Sequence, residues 1–199
     1  IGIQAALAER ERSGKGQHVD LALFDCGLGV LANQASNFLL GGQEPTRLGN
    51  AHPNIVPYQV FPASDGHLII ACGNDRQFRA LCGALGLPDL ADDPAYATNP
   101  ARVTNRVALT ETLSAATSAR TRADLIQVLE QVAVPAGPIN RVSEALSDPQ
   151  ATERGMVVAP DGIQSLRTPI QFSRSAQRAD RAGPILGQGA WTFTTESDQ

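Results

Sequence analysis

Apolar residues recur at helical spacing from the first residues, with Ile3 and Leu7 set among Ala5, Ala6 and Ala8. Arg10 and Arg12 close this segment, where positive charge suits the negative pole of a helix, and Ser13-Gly14-Lys15-Gly16 stops it. The period then changes to two: Val19, Leu21 and Leu23 alternate with His18, Asp20 and Ala22, the pattern of a half-buried strand over Gln17 to Leu23. A second helix, with Asp25 as its cap, places Phe24, Leu28, Leu31, Ala35 and Phe38 on one face, reads as buried on most sides, and ends at Gly41-Gly42. Helix, glycine turn and strand in succession form one step of an α/β layer.

Gln43 to Pro57 is a long connection rich in Pro, Gly and Asn, and is taken as a domain boundary, because connections of this length are usually functional or linkers. Beyond it, strands over Tyr58 to Phe61 and His67 to Cys72 flank Asp65-Gly66, a dipeptide suited to tight hairpins. Asp75 then caps a helix carrying Phe78, Leu81, Cys82 and Leu85, closed by Gly86 and Pro88. Helices follow over about Ala101 to Ser118 and, behind the cap Thr121, Arg122 to Val132, completing an α+β unit with the hairpin. Val134 to Ile139 carries Pro135 and Pro138 and so reads as an extended connector or edge. Short helices from Ser143 and after Asp148-Pro149 lead into a turn-rich, strand-poor end with a polar tail from Thr194 to Gln199.

Composition narrows the function classes. A formal charge of −4 with mixed signs provides no basic stripe for nucleic acid. No apolar run reaches the roughly 18 residues of a membrane span. Cys26, Cys72 and Cys82 have no CxxC pairing and lie in apolar stretches, so they read as buried thiols of a protein in a reducing cytoplasm. His18, His52 and His67 lack metal-ligand spacing.

Candidate chemistry is sparse. There is no GxSxG nucleophile elbow, and Gly14 and Gly16 follow a helix instead of a strand, which favours helix termination over a phosphate loop. Asp20, Asp25, Asp65 and Asp75 are the carboxylates near ordered elements, and cap and turn roles explain the last three. Arg47-Leu48-Gly49-Asn50-Ala51-His52-Pro53 resists so plain an account, because its histidine is flanked by Gly, Asn and Pro in the long connection, a place suited to meeting a ligand.

The run Leu7-Ala8-Glu9-Arg10, followed by Ser13-Gly14-Lys15-Gly16-Gln17-His18-Val19-Asp20-Leu21-Ala22-Leu23-Phe24-Asp25, resembles the AL-x-x-R…G-x-G-Q-x-V-D-x-x-L-x-D signature of family III coenzyme A transferases, the CaiB/BaiF or formyl-CoA transferase type. The likeness continues through Arg47 to Pro53, Asp65-Gly66, Asn74-Asp75, Asn99, Arg102-Val103, Val134 to Ile139 and Leu186-Gly187. It implies a protein of about twice this length: a doubly wound, Rossmann-like α/β large domain with a smaller α+β domain inserted in it, and two subunits interlocked as a homodimer. On that template 1–40 ends the first large-domain segment, 41–61 is an inter-domain linker with an active-site loop, 62–146 is the small domain, and 147–199 returns to the large domain.

The resemblance also implies a mechanism in which an aspartate attacks an acyl-CoA thioester, passing through an aspartyl anhydride and an aspartyl-CoA thioester. No residue of this chain matches that aspartate, which is expected upstream, so no catalytic residue is assigned here and the chain alone is expected to be inactive. Gly49, Asn50, Ala51, His52 and Pro53 are the candidate substrate-binding residues, at the position of a loop that closes over the acyl-enzyme in some relatives. Ala51-His52-Pro53 departs from the glycine run of oxalate-handling members, and Gly187-Gln188-Gly189-Ala190-Trp191 departs from the usual Gly-Glu-His. The implied partners are an acyl-CoA, present as substrate and not as a cofactor, and a small carboxylic acid, with no metal, membrane or nucleic acid. Two alternatives are carried: an α-methylacyl-CoA racemase of the same fold, whose loop reads Gly-Gly-Ala-Pro-Phe-Tyr, and a non-catalytic module that binds CoA or a partner.

Overall fold

A computed structural model describes residues 1–177, 181–184 and 186 as a mixed α/β chain with two compact units, Ile1–Gly137 and Pro138–Gln199. The motif glycine Gly187, the segment to Trp191 and the tail from Thr194 lie outside the described residues. No helix among the described residues is long and apolar enough to cross a membrane.

The core of the first unit is built on a hairpin. Strands β1 (Tyr58–Ala63) and β2 (Gly66–Ala71) pair antiparallel with Ala63 opposite Gly66, which leaves Ser64-Asp65 as the turn. Asp65 ties that turn to the following layer by accepting from the Arg122 backbone N–H at 2.8 Å. The third strand, β3 (Ala136–Pro138), lies beside β2 at the edge, as its prolines require. Alternation buries Phe61, Leu68 and Ile70 against helices α4 (Asp75–Ala84), α6 (Arg106–Ser118) and α7 (Arg122–Gln131), which contribute Phe78, Leu81, Cys82, Leu109, Leu113, Leu125 and Leu129. Thr121 caps α7 as expected, its hydroxyl accepting from the Asp124 N–H.

Other details differ from expectation. Asn74, not Asp75, caps α4, accepting from Gln77 N–H, and Asp75 is thereby left to pair with Arg102. The helix expected from Ala101 is two: α5 (Asn99–Thr104), capped by Thr98, and α6. Between them Asn105 leaves helical geometry, and its side chain bonds the carbonyls of Ala95 and Ala101, the kind of local competition with the helix that Asn favours.

The first 41 residues depart furthest. Helix α1 (Gly2–Ser13) ends on Gly14 with φ 72°, the left-handed cap that glycine adopts without penalty. The strand expected over Gln17 to Leu23 is absent, because alternation marks a face to be buried but a strand also needs a neighbour to pair with. The following helix is broken into α2 (Leu23–Gly29) and α3 (Asn33–Gly41). Ala22, without a side-chain bond, precedes α2, and Asp25 sits in its first turn instead of capping it. Gly27 and Gly29 weaken α2, and Ala32 takes φ 47° at the break. Contrary to the expected burial, Phe24, Leu28, Leu31 and Phe38 are exposed, as is Cys26, since little among the described residues packs on their face; Cys72 and Cys82 are buried.

In the second unit, α8 (Val142–Leu146) starts where the Arg141 N–H donates to Glu144, and Asp148 caps α9 (Pro149–Glu153) by accepting from Gln150 N–H at 2.7 Å. Strands β4 (Val157–Val158) and β5 (Ser165–Leu166) form a small ribbon, and Arg167 donates back to the carbonyls of Arg154 and Gly155.

Candidate active-site loop

The connection before β1 is ordered by a closed set of polar contacts. A turn at Leu48–Ala51, closed by Ala51 N–H to the Leu48 carbonyl, places Gly49 at φ 62°. No atom comes within 4 Å of where a Cβ would stand on Gly49, so its conformation and not crowding calls for glycine. The Asn50 carboxamide oxygen accepts from Val60 N–H at 2.8 Å, fastening the turn to β1 and leaving its amide N–H pair as donors.

His52 is fixed from several sides. Its backbone N–H donates to the Tyr58 carbonyl at 2.9 Å, and its ring stacks on Tyr58 with centroids 5.3 Å apart and planes 13° from parallel. Its Nδ1 accepts from Asn54 N–H at 3.1 Å. That bond requires Nδ1 to be unprotonated, so a neutral ring carries its proton on Nε2. Arg106, the first residue of α6, donates from Nη1 to the His52 carbonyl at 3.3 Å and from Nη2 to the Pro53 carbonyl at 2.6 Å.

The stretch leading to β1 is pinned in the same way. Asn54 and Asn37 exchange a reciprocal pair of carboxamide bonds at 3.0 and 3.1 Å. Asn99 accepts from Val56 N–H and donates to the Asn54 carbonyl. Beneath them lies the fully buried Arg102, which donates to the carbonyls of Val56 (2.6 Å) and Tyr96 (2.9 Å) and to Asp75 (2.7 Å), its guanidinium 4.4 Å from the Phe78 ring centre.

Gly49, Asn50 and Ala51 line an open depression of ≈ 350 Å³ together with Gln59, Arg106, Thr110 and Glu111. Pro53 lines a second, of ≈ 230 Å³, with Gln34, Asn37, Asn54 and Arg106. His52 lines neither of these two depressions; its ring lies on Tyr58. Arg106 and Asn54 escaped the sequence reading: nothing in the spacing of Arg106 couples it to a loop more than fifty residues earlier, although the motif residue Asn99 marks the same stretch. The buried thiols do not join this chemistry. Burial pushes Cys72 up to about 12 and Cys82 to about 11, partly opposed by the charge of Arg102, so both are protonated at neutral pH.

Comparison with known proteins gives this geometry its context. A family model for CoA-transferase family III matches residues 1–190, and the chain belongs to that family. Among its relatives, it is 51% identical over 191 residues to a succinate–glutarate CoA-transferase of Agrobacterium fabrum, an alignment covering 94% of this chain and 48% of that protein. It is 38% identical to an acetyl-CoA:oxalate CoA-transferase of Acetobacter aceti, over 92% of this chain and 47% of the relative. A crystal structure of a CaiB/BaiF family protein from Brucella suis superposes with a TM-score of 0.76 at 54% identity, covering 92% of this chain and 49% of that one. The chain thus spans about half the length of the curated relatives it matches.

Proposed function

We propose that the intact protein is an acyl-CoA:carboxylate CoA-transferase acting on small dicarboxylates, with succinyl-CoA as donor and glutarate or a similar acid as acceptor. The observation that carries this reading is the 51% identity to a succinate–glutarate CoA-transferase over nearly the whole chain. Relatives named for mesaconate and citramalate transfer from succinyl-CoA add support for that substrate class.

In the mechanism the family implies, a carboxylate oxygen of an aspartate outside this chain attacks the thioester carbonyl, and the C–S bond breaks to release CoA thiolate. The thiolate then attacks the aspartyl carbonyl of the mixed anhydride, expelling the donor acid and leaving an aspartyl-CoA thioester. The acceptor carboxylate attacks this thioester and reverses the sequence. This chain's share is the Gly49 to Pro53 loop: the Asn50 amide N–H groups and the His52 Nε2–H are donors suited to acyl carboxylate or thioester oxygens, and Gly49 and Ala51 permit close approach of backbone. CoA enters as substrate, with no separate cofactor.

The broader architecture is part of the same proposal. The exposed apolar side chains of α2 and α3 fit helices of a doubly wound large domain covered by further polypeptide, in an interlocked homodimer of the reducing cytoplasm. The test is CoA transfer from succinyl-CoA to a panel of carboxylates, measured for the intact protein and for this chain alone. Glutarate-type acceptors should be charged by the intact protein only; activity in the short chain would refute the assignment of the nucleophile to a residue outside it.

A further inference from the structure

Arg106 makes an unusual contribution for a helix-terminal arginine: each of its three nitrogens donates to a backbone carbonyl, Nε to Val103 at 3.4 Å, Nη1 to His52 at 3.3 Å and Nη2 to Pro53 at 2.6 Å. Its own position is rigid, since α6 is held in the core by the buried Leu109 and Leu113. The two loop carbonyls belong to consecutive residues, and a planar guanidinium spans such a pair where a lysine ammonium, a point donor, does not. The same side chain also lines both depressions.

We infer that Arg106 is a positioning residue, fixing the backbone of His52 and Pro53 so that the imidazole stays stacked on Tyr58 with Nδ1 engaged by Asn54 N–H and Nε2–H left as a donor. Three of its five N–H groups go to carbonyls, two of these on the loop, which makes holding the loop its role. The inference rests on the CoA-transferase reading for its effect on turnover, but its effect on His52 is independent of that reading.

The experiment substitutes Arg106→Met and Arg106→Lys in the intact protein and records kcat, KM for donor and acceptor, thermal stability and the ¹⁵N shifts of the His52 imidazole. Loss of the clamp should lower kcat by about tenfold to a hundredfold, because misplacement of a supporting group costs that much, with a smaller change in KM. The His52 shifts should move from a single Nε2–H tautomer toward a mixture in Arg106→Met, with partial recovery in Arg106→Lys. A folded Arg106→Met protein with native His52 shifts and native kcat overturns the inference. If Arg106→Met does not fold, Arg106→Lys carries the test, and native shifts with native kcat there overturn it equally. If the unsubstituted protein transfers CoA from no donor, the functional reading fails instead, and unchanged His52 shifts in the variants would still overturn the clamp.

Discussion

Replacing Arg102 with methionine removes the polar centre under the loop while keeping most of the side chain's volume. Arg102 is fully buried and donates to Val56, Tyr96 and Asp75, and it faces Phe78. Hydrogen bonds from a charged donor contribute about 1.5–3 kcal/mol each, but such values do not add. Asp75 is 55% exposed, so solvent already screens that pair and little of the loss comes from it. What dominates is the stranding of the Val56 and Tyr96 carbonyls, together with the lost cation–π contact of about 0.5–2 kcal/mol. The expected destabilisation is therefore about 2–5 kcal/mol, from two stranded carbonyls at about 1–3 kcal/mol each, which do not simply add, and the lost cation–π contact. Urea denaturation followed by far-UV circular dichroism should show a lowered midpoint at unchanged slope, and Arg102→Lys, which retains charge but not the fork, should fall between. An Arg102→Met loss below about 1 kcal/mol would refute the reasoning, since it would mean that the carbonyls find water or that the network is not a unit.

Two further outcomes follow from backbone and burial. Gly49→Ala should cost about 1–2 kcal/mol in urea denaturation, because its φ of 62° strains a Cβ that meets no neighbour, while Gly49→Asn should cost less than half as much; equal losses for the two would point to crowding instead. The folded-state values of Cys72 and Cys82 lie above the ordinary 9.0, so the unfolded chain loses these protons first on raising pH. Their contribution to stability is therefore intact below about pH 9 and declines as pH rises toward about 11 to 12, by at most about 1.4 kcal/mol per unit per thiol. Urea midpoints across this window should fall less steeply in a Cys72→Ala/Cys82→Ala protein, and an identical slope would contradict the burial argument.

The parts of the fold legible in the sequence are those decided locally. Asp65-Gly66 between alternating segments announced the hairpin, Thr121 and Asp148-Pro149 announced helix starts, and the prolines of Val134 to Ile139 announced an edge. What misled was pattern without a partner: Val19 and Leu21 alternate as a strand does, and Phe24 to Phe38 share a face as a buried helix does, yet pairing and burial depend on neighbours that periodicity does not supply. The choice of Asn74 over Asp75 as cap turned on a tertiary demand, because the Asp75 carboxylate is taken by an arginine 27 residues later. The loop Gly49 to Pro53 was visible by its composition, whereas its anchors were not. Arg106 and Asn37 reach it only through the fold, and neither carries a local signature.

The most direct test of the account is isotope-labelled CoA transfer from succinyl-CoA to glutarate by the intact protein, with the reaction trapped by hydroxylamine during turnover. The account predicts glutaryl-CoA formation with ping-pong kinetics and recovery of a single aspartate as its hydroxamate, at a position outside these 199 residues. Absence of transfer to any dicarboxylate, or trapping at Asp20 or Asp25 of this chain, would contradict it.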